Sequence, residues 1–224
     1  MKQNTVALAA LLLLGTLPAA AQTPAVRWGV KGGVNIARLA EGFDETSDNY
    51  TFDKAGPHLG AMLEYSLGQR WALQPEVLVS WQGSGYNQLT FSLGPAPIQE
   101  EAVRKVRLTY LNVPVLAKLR LGQVFSVQAG PQAGVLLSGR LKGRLSSSEE
   151  VDRSVTDAYK RLDVGLTGGI AASFQPGLQL SARYYYGLLD VARSNPDPAD
   201  FAYGGYQRVV QLSVGYLLPA KAAK

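Results

Sequence analysis

The sequence predicts an all-β chain, an eight-stranded antiparallel up-and-down transmembrane β-barrel. Three observations lead there. Beyond residue 25 apolar residues recur at every second position in segment after segment, which is strand periodicity. The connections between segments alternate between tight turns and longer loops. The polar positions hold glycine, serine, glutamine and charges of both signs in mid-strand, which suits the crowded interior of a narrow barrel better than the Lys- and Glu-rich surface of a soluble one.

Taken in order, the predicted strands are 25–38, 56–67, 70–84, 104–121, 123–140, 159–174, 178–191 and 205–218. The first carries Gly29 and Gly33 beside Arg27 and Lys31, and the second carries His58, Gly60 and Glu64. In the third, Trp71, Leu73, Pro75, Val77, Val79 and Trp81 share one face opposite Gln74, Glu76, Ser80 and Gln82, with Leu78 as the exception. The fourth holds Lys118 and Arg120. The fifth alternates from Phe125 through Val127 and Ala129 to Leu137, against Ser126, Gln128, Gln132 and Ser138. In the sixth, Leu162, Val164, Leu166 and Ile170 oppose Asp163, Thr167 and Gly169, and in the seventh Leu178, Leu180, Ala182, Tyr184 and Tyr186 oppose Gln179, Ser181 and Arg183. The eighth ends near Tyr216. Val77–Gln99, Leu121–Gly139 and Val164–Ala182 are uncharged and long enough for helices, but their glutamines, glycines and prolines argue against that. Tight turns fall at Gly68-Gln69, Gly122-Gln123 and Pro176-Gly177, and 39–55, 85–103, 141–158 and 192–204 read as long outward loops.

Before the first strand, Lys2, the apolar run Val6–Leu14 and Pro18-Ala19-Ala20-Ala21 read as a cleavable secretory signal peptide over residues 1–21, leaving a barrel domain over 22–224. The run is shorter than the ~20 residues of a spanning helix. Aromatic residues fall near both strand ends: Trp28, Tyr65, Trp71, Phe125, Phe174 and Tyr216 toward the turns, and Trp81, Tyr110 and Tyr186 toward the loops. They read as two interfacial girdles.

Composition narrows function. The 224 residues are 46% hydrophobic and 17% charged, with 24 glycines, no cysteine and one histidine. Without cysteine there is no disulfide scaffold, thiol nucleophile or zinc-cysteine site, and a Ser-His-Asp site would rest on His58 alone. No cofactor, metal site, catalytic residue or nucleic-acid partner is predicted. By parity Lys31, Glu64, Glu76, Lys118, Arg120, Asp163 and Arg183 point into the lumen, where charges need partners, so a salt-bridge network is expected. Eight strands leave room for little but side chains, which favours a filled interior over a selective channel. Glu41, Asp44, Glu45, Asp48 and Asp53 crowd one loop without the order of an EF-hand, and a solvated acidic loop is the simpler account. Lys142 and Arg144, mixed with Glu149, Glu150 and Asp152, make an arm that could meet lipopolysaccharide phosphates at the outer surface, though solvation is again the simpler account. Asn49-Tyr50-Thr51 matches a glycosylation sequon at chance frequency.

Gly29-Val30-Lys31-Gly32-Gly33-Val34-Asn35, Leu73-Gln74-Pro75-Glu76-Val77-Leu78 and Leu111-Asn112-Val113-Pro114-Val115-Leu116-Ala117-Lys118 carry a further signal, continued by Gln128–Gly134 and Ala182–Leu188. In these motifs, spread over nearly the whole mature chain, the sequence resembles the PorT-like outer-membrane β-barrel family of Bacteroidetes. The resemblance implies an eight-stranded outer-membrane barrel, with one branch of the family linked to protein secretion. The shared motifs belong to the barrel wall, so that secretion role is not carried over. Such barrels often end on an aromatic residue, whereas this chain runs past Tyr216-Leu217-Leu218 into Pro219–Lys224. The expected function is an integral outer-membrane protein of structural or interaction type, monomeric and without catalysis. Its partners would be outer-membrane lipid, lipopolysaccharide and an unidentified protein at the four outward loops. The alternatives are a narrow passive channel for small solutes and an accessory part in outer-membrane protein secretion.

Overall fold

The computed structural model describes residues 26–40, 51–91, 99–144, 150–192 and 205–219. The segment 1–21 read as a signal peptide, the loop carboxylates Glu41, Asp44, Glu45 and Asp48, the Asn49-Tyr50 part of the sequon, Glu149 and the tail from Ala220 onward lie outside the described residues.

Among the described residues there are nine strands: β1 (Val26–Ala40), β2 (Thr51–Ser66), β3 (Trp71–Phe91), β4 (Gln99–Leu121), β5 (Phe125–Arg144), the short β6 (Glu150–Ser154), β7 (Leu162–Phe174), β8 (Leu178–Asp190) and β9 (Tyr206–Leu217). Their hydrogen-bonded order is β4-β3-β2-β1-β9-β8-β7-β5-β6, and β4 also pairs with β5. Eight strands therefore close on themselves, while β6 adds a hairpin arm to the upper part of β5, from Arg140 to Arg144. Every pairing is antiparallel. Closure leaves no free edge among the barrel strands, the condition for taking backbone amides into lipid. The turn glycines Gly68 and Gly122 adopt φ of 113° and 74°, which a side chain would resist.

The two faces of the wall decide the solvent. Outward positions are apolar and bare: Trp28 is 61% exposed, Leu59 63%, Phe125 64% and Ile170 60%. Inward positions are polar and covered, among them Lys31, Glu76, Gln128 and Arg183. A continuous apolar exterior of this extent has no place in water, whereas it is the lipid-facing band of a transmembrane barrel. That band runs from Val26 to Ile36 on β1, Pro57 to Tyr65 on β2, Trp71 to Trp81 on β3, Leu111 to Leu121 on β4 and Phe125 to Leu137 on β5. It continues over Leu162–Phe174, Leu178–Leu188 and Val210–Tyr216.

The structure differs from the sequence expectation in three places. Much of the predicted loops 85–103 and 141–158 is strand, as is the end of the predicted loop 39–55, where Asp53 pairs with Ser84 within β2: β3, β4 and β5 reach 21, 23 and 20 residues and project beyond the band at the loop end. Gly83, Gly85, Lys105, Arg107, Arg140 and Lys142 stand there where a lipid-facing strand would carry apolar residues, so the apolar alternation disappears while backbone pairing continues. Secondly, residues 150–159 form β6, a 3-10 turn over Thr156–Ala158 and a bridge from Tyr159 to Ala192. Val155, Ala158 and Tyr159 are buried with Val106, Leu108 and Leu136 in an apolar cluster inside the loop end of the barrel. Thirdly, Tyr110 is not part of a girdle. It has the same parity as Lys118 and Arg120, and its ring is fully buried within that apolar cluster.

Candidate functional site

The interior chemistry is built in layers, because each inward strand position faces a different neighbour across a narrow lumen. Nearest the tight turns, β2 supplies Glu64. Lys118 from β4 donates to its Oε2 at 2.8 Å and Arg120 to its Oε1 at 3.0 Å, and Arg27 from β1 donates to the same Oε1. Arg120 and Arg27 remain partly exposed at the rim, whereas Glu64 and Lys118 are buried.

One layer up, Glu76 on β3 is held by cations from opposite walls. Arg183 of β8 donates through Nη1 to Oε2 and through Nη2 to Oε1, both at 2.7 Å, the two-pronged geometry that suits a carboxylate. Lys31 of β1 donates to Oε2 at 3.1 Å, and Gln74 Nε2 to Oε1 at 2.7 Å. Gln74 also joins the two layers, its Oε1 accepting from Lys118 at 3.3 Å, and Gln128 Oε1 accepts from Arg183 at 3.1 Å. Five cations thus surround two carboxylates.

Above this lie smaller polar pairs. Asn35 donates to Ser80 Oγ at 2.7 Å, and His58 Nε2 lies 3.0 Å from Ser213 Oγ, its ring beside Gly33, where a Cβ would strike both the ring and the Leu212 carbonyl. Asp163 stands apart from the ion network and accepts from Tyr185 Oη at 2.9 Å. Arg208, which alternation alone did not single out, donates to the Gly187 and Gln207 carbonyls, with its guanidinium 3.6 Å over the Tyr186 ring. Of the predicted lumen charges, six therefore meet in two linked clusters and Asp163 does not join them.

Of the predicted girdle, Trp28, Trp71, Phe125, Phe174 and Tyr216 are exposed on the outer wall near the turn end, with Tyr65 partly exposed beside them. Trp81 and Tyr186 are partly exposed toward the loop end. Among the described residues no group of three or more His, Asp or Glu side chains is placed to hold a metal ion.

A closed antiparallel barrel with this apolar exterior has its counterpart among sequence families: the outer membrane protein beta-barrel domain matches residues 20–193. The chain belongs to that family. It is an outer-membrane β-barrel protein. The barrel is similar in fold to Ail, the attachment invasion locus protein of Yersinia pestis, solved in complex with the heparin analogue sucrose octasulfate. Identity is 16%, over 86% of this chain and 99% of that one, with a TM-score of 0.46. Neisserial surface protein A shows 11% identity over 86% and 96% of the two chains at a TM-score of 0.44. OprG of Pseudomonas aeruginosa shows 12% over 87% and 95%, at 0.39. No curated protein matches the chain.

Proposed function

We propose that this outer-membrane barrel is a closed structural and interaction scaffold, presenting its four long connections to the exterior and conducting nothing through its lumen. The observation that carries this reading is the filled interior. Lys31, Glu64, Gln74, Glu76, Lys118 and Arg183 are all buried, and the apolar cluster around Tyr110 and Tyr159 stops the loop end above them. A conducting lumen needs a continuous wet path, and two stacked layers of opposite chemistry, one ionic and one apolar, weigh against one.

In this reading residues 1–21 direct export and are removed, the chain is a monomer of the PorT-like branch, and the barrel carries no catalysis. Its loops meet an unidentified protein partner while its wall meets lipid and lipopolysaccharide. Planar-bilayer recording of the purified barrel tests the closed lumen: no conductance steps are expected, and discrete steps altered by Glu76→Gln would make it a channel. Photo-crosslinkers placed in the long connections in intact cells test the interaction role. A single protein species captured from several loop positions supports it, and silence at every position counts against it.

A further inference from the structure

Just beyond the lipid-facing band, on the loop side, the outer wall carries a cluster of positive charge that the lumen network does not use. Arg107 on β4 lies directly across from Arg140 on β5, and two residues higher Lys105 lies directly across from Lys142. All four are on the outward face. Like charges in directly opposed positions of an antiparallel pair destabilise the pairing, and here two such pairs are stacked on one face. A fifth cation joins them from the other side: Lys54 of β2 reaches across β3 and donates to the Val106 carbonyl at 3.0 Å, between Lys105 and Arg107 in the chain.

The space for that reach comes from β3. Its positions opposite Arg107 and Lys105 are Gly83 and Gly85, with no side chains, and Gly83 has φ of 144° with the Val106 carbonyl where a Cβ would be. The result is a cleft of about 620 Å³ walled by the five cations, with Trp81 and the Thr109 and Ser138 hydroxyls at its membrane end. Among the described residues one carboxylate is ion-paired with any of the five, Asp152, 3.1 Å from Lys142. Burial, with Arg107, Lys105 and Lys142 close by, lowers the Lys54 ammonium from its ordinary value to about 8.

We propose that Lys54, Lys105, Arg107, Arg140 and Lys142 bind the phosphate groups of a phosphorylated glycolipid of the outer leaflet, of the lipid A class. Guanidinium forks match phosphate oxygens in pairs, and Thr109 and Ser138 add neutral donors. The height of the cleft selects a lipid: it opens sideways above Trp81, at the level where interfacial tryptophans meet headgroups, and acyl chains would continue down the apolar wall. The loop-side orientation makes that leaflet the outer one. This inference rests on the membrane reading and gives it a specific lipid contact.

The test uses the full barrel in phosphatidylcholine nanodiscs supplemented with bis-phosphorylated or dephosphorylated lipid A, with bound lipid counted by native mass spectrometry. Wild-type protein is expected to retain the bis-phosphorylated form about tenfold over the dephosphorylated one, and the double variant Arg107→Gln/Arg140→Gln to lose that preference. Arg70→Gln, an exposed arginine at the opposite end, should retain it. Melting in the same discs gives a sign change. Without lipid A the double variant melts at or above wild type, because opposed like charges are gone, and with lipid A it melts below. Equal retention by wild type and the double variant overturns the proposal, as does the same melting order in both discs. Equal loss in Arg70→Gln reduces the effect to general charge. Competition by inorganic phosphate alone at low millimolar concentration makes the site one for free anions, and preference for a soluble polysulfated glycan over lipid A makes it a glycan site. Heat-modifiable migration in lipid A-free discs is scored separately, so failed insertion counts against the membrane reading and failed lipid retention against this site.

Discussion

Glu76 is the residue on which the interior balance turns. It accepts five hydrogen bonds from three side chains, and two of those side chains are cations. Removing its charge in Glu76→Gln leaves Lys31 and Arg183 buried without compensation, and a cost of about 3–5 kcal/mol follows. Removing Lys31 instead leaves the Arg183 fork intact and relieves a surplus cation. Lys31→Met is therefore expected to be neutral or stabilising, and urea unfolding in lipid vesicles followed by gel mobility separates the two outcomes. At the outer cleft the sign of the pH effect is also fixed. Lys54 titrates near 8 in the folded barrel against an ordinary value of 10.5, so the unfolded chain binds more protons between those values and stability rises with pH across that window. The wild-type curve should climb relative to Lys54→Met from pH 8 to 10 in lipid A-free discs. A flat difference would show that Lys54 is neither buried nor held among cations in the folded barrel.

At the scale of elements, the apolar plug separates packing from ion pairing. Tyr159→Ala removes a fully buried ring from the cluster of Val106, Leu108 and Leu136, and a loss of about 3 kcal/mol is expected. Conductance should stay absent, because the Glu76 and Glu64 layers still fill the lumen; steps appearing in this variant would show that the plug alone closes the barrel. The plug also marks where sequence reading ran out. Alternation works where one face meets lipid and the other the lumen, which is why the bands of β3, β5, β7 and β8 were legible with nearly correct limits. Past the band the pattern lapses, so the tops of β3, β4 and β5 read as loops, Val155 and Ala158 passed as part of a polar connection, and Tyr159 passed as the start of the sixth strand, although all three are buried in the plug. Tyr110 was misplaced because an aromatic near a strand end suggested a girdle while its own parity said otherwise. Parity assigns a face to Lys31, Glu76 and Arg183, but the pairing of a cation on β8 with a carboxylate on β3 depends on the curvature of the closed wall. Of the outer cations only Lys142 drew notice in the sequence; the i, i+2 pairs Lys105 and Arg107, and Arg140 and Lys142, take on meaning only with the register that sets them opposite each other.

For the whole molecule, closure is the event that makes the interior. β1 and β9 meet along Gly29↔Leu217 through Ala40↔Tyr206, joining the two ends of the described chain. The Glu76 layer draws Lys31 from β1, Glu76 from β3 and Arg183 from β8, three strands brought around one lumen only when that seam is shut. An open sheet would leave Lys31 and Arg183 in reach of trypsin, which cuts after both. Protection of these two positions should therefore arise together, in step with the compact unboiled gel band, during refolding into vesicles. Protection at Lys31 well before Arg183 would mean that the layer assembles piecemeal. The charges that read first as a possible pore lining are, on this view, a latch: their satisfaction records that the last strand has found the first.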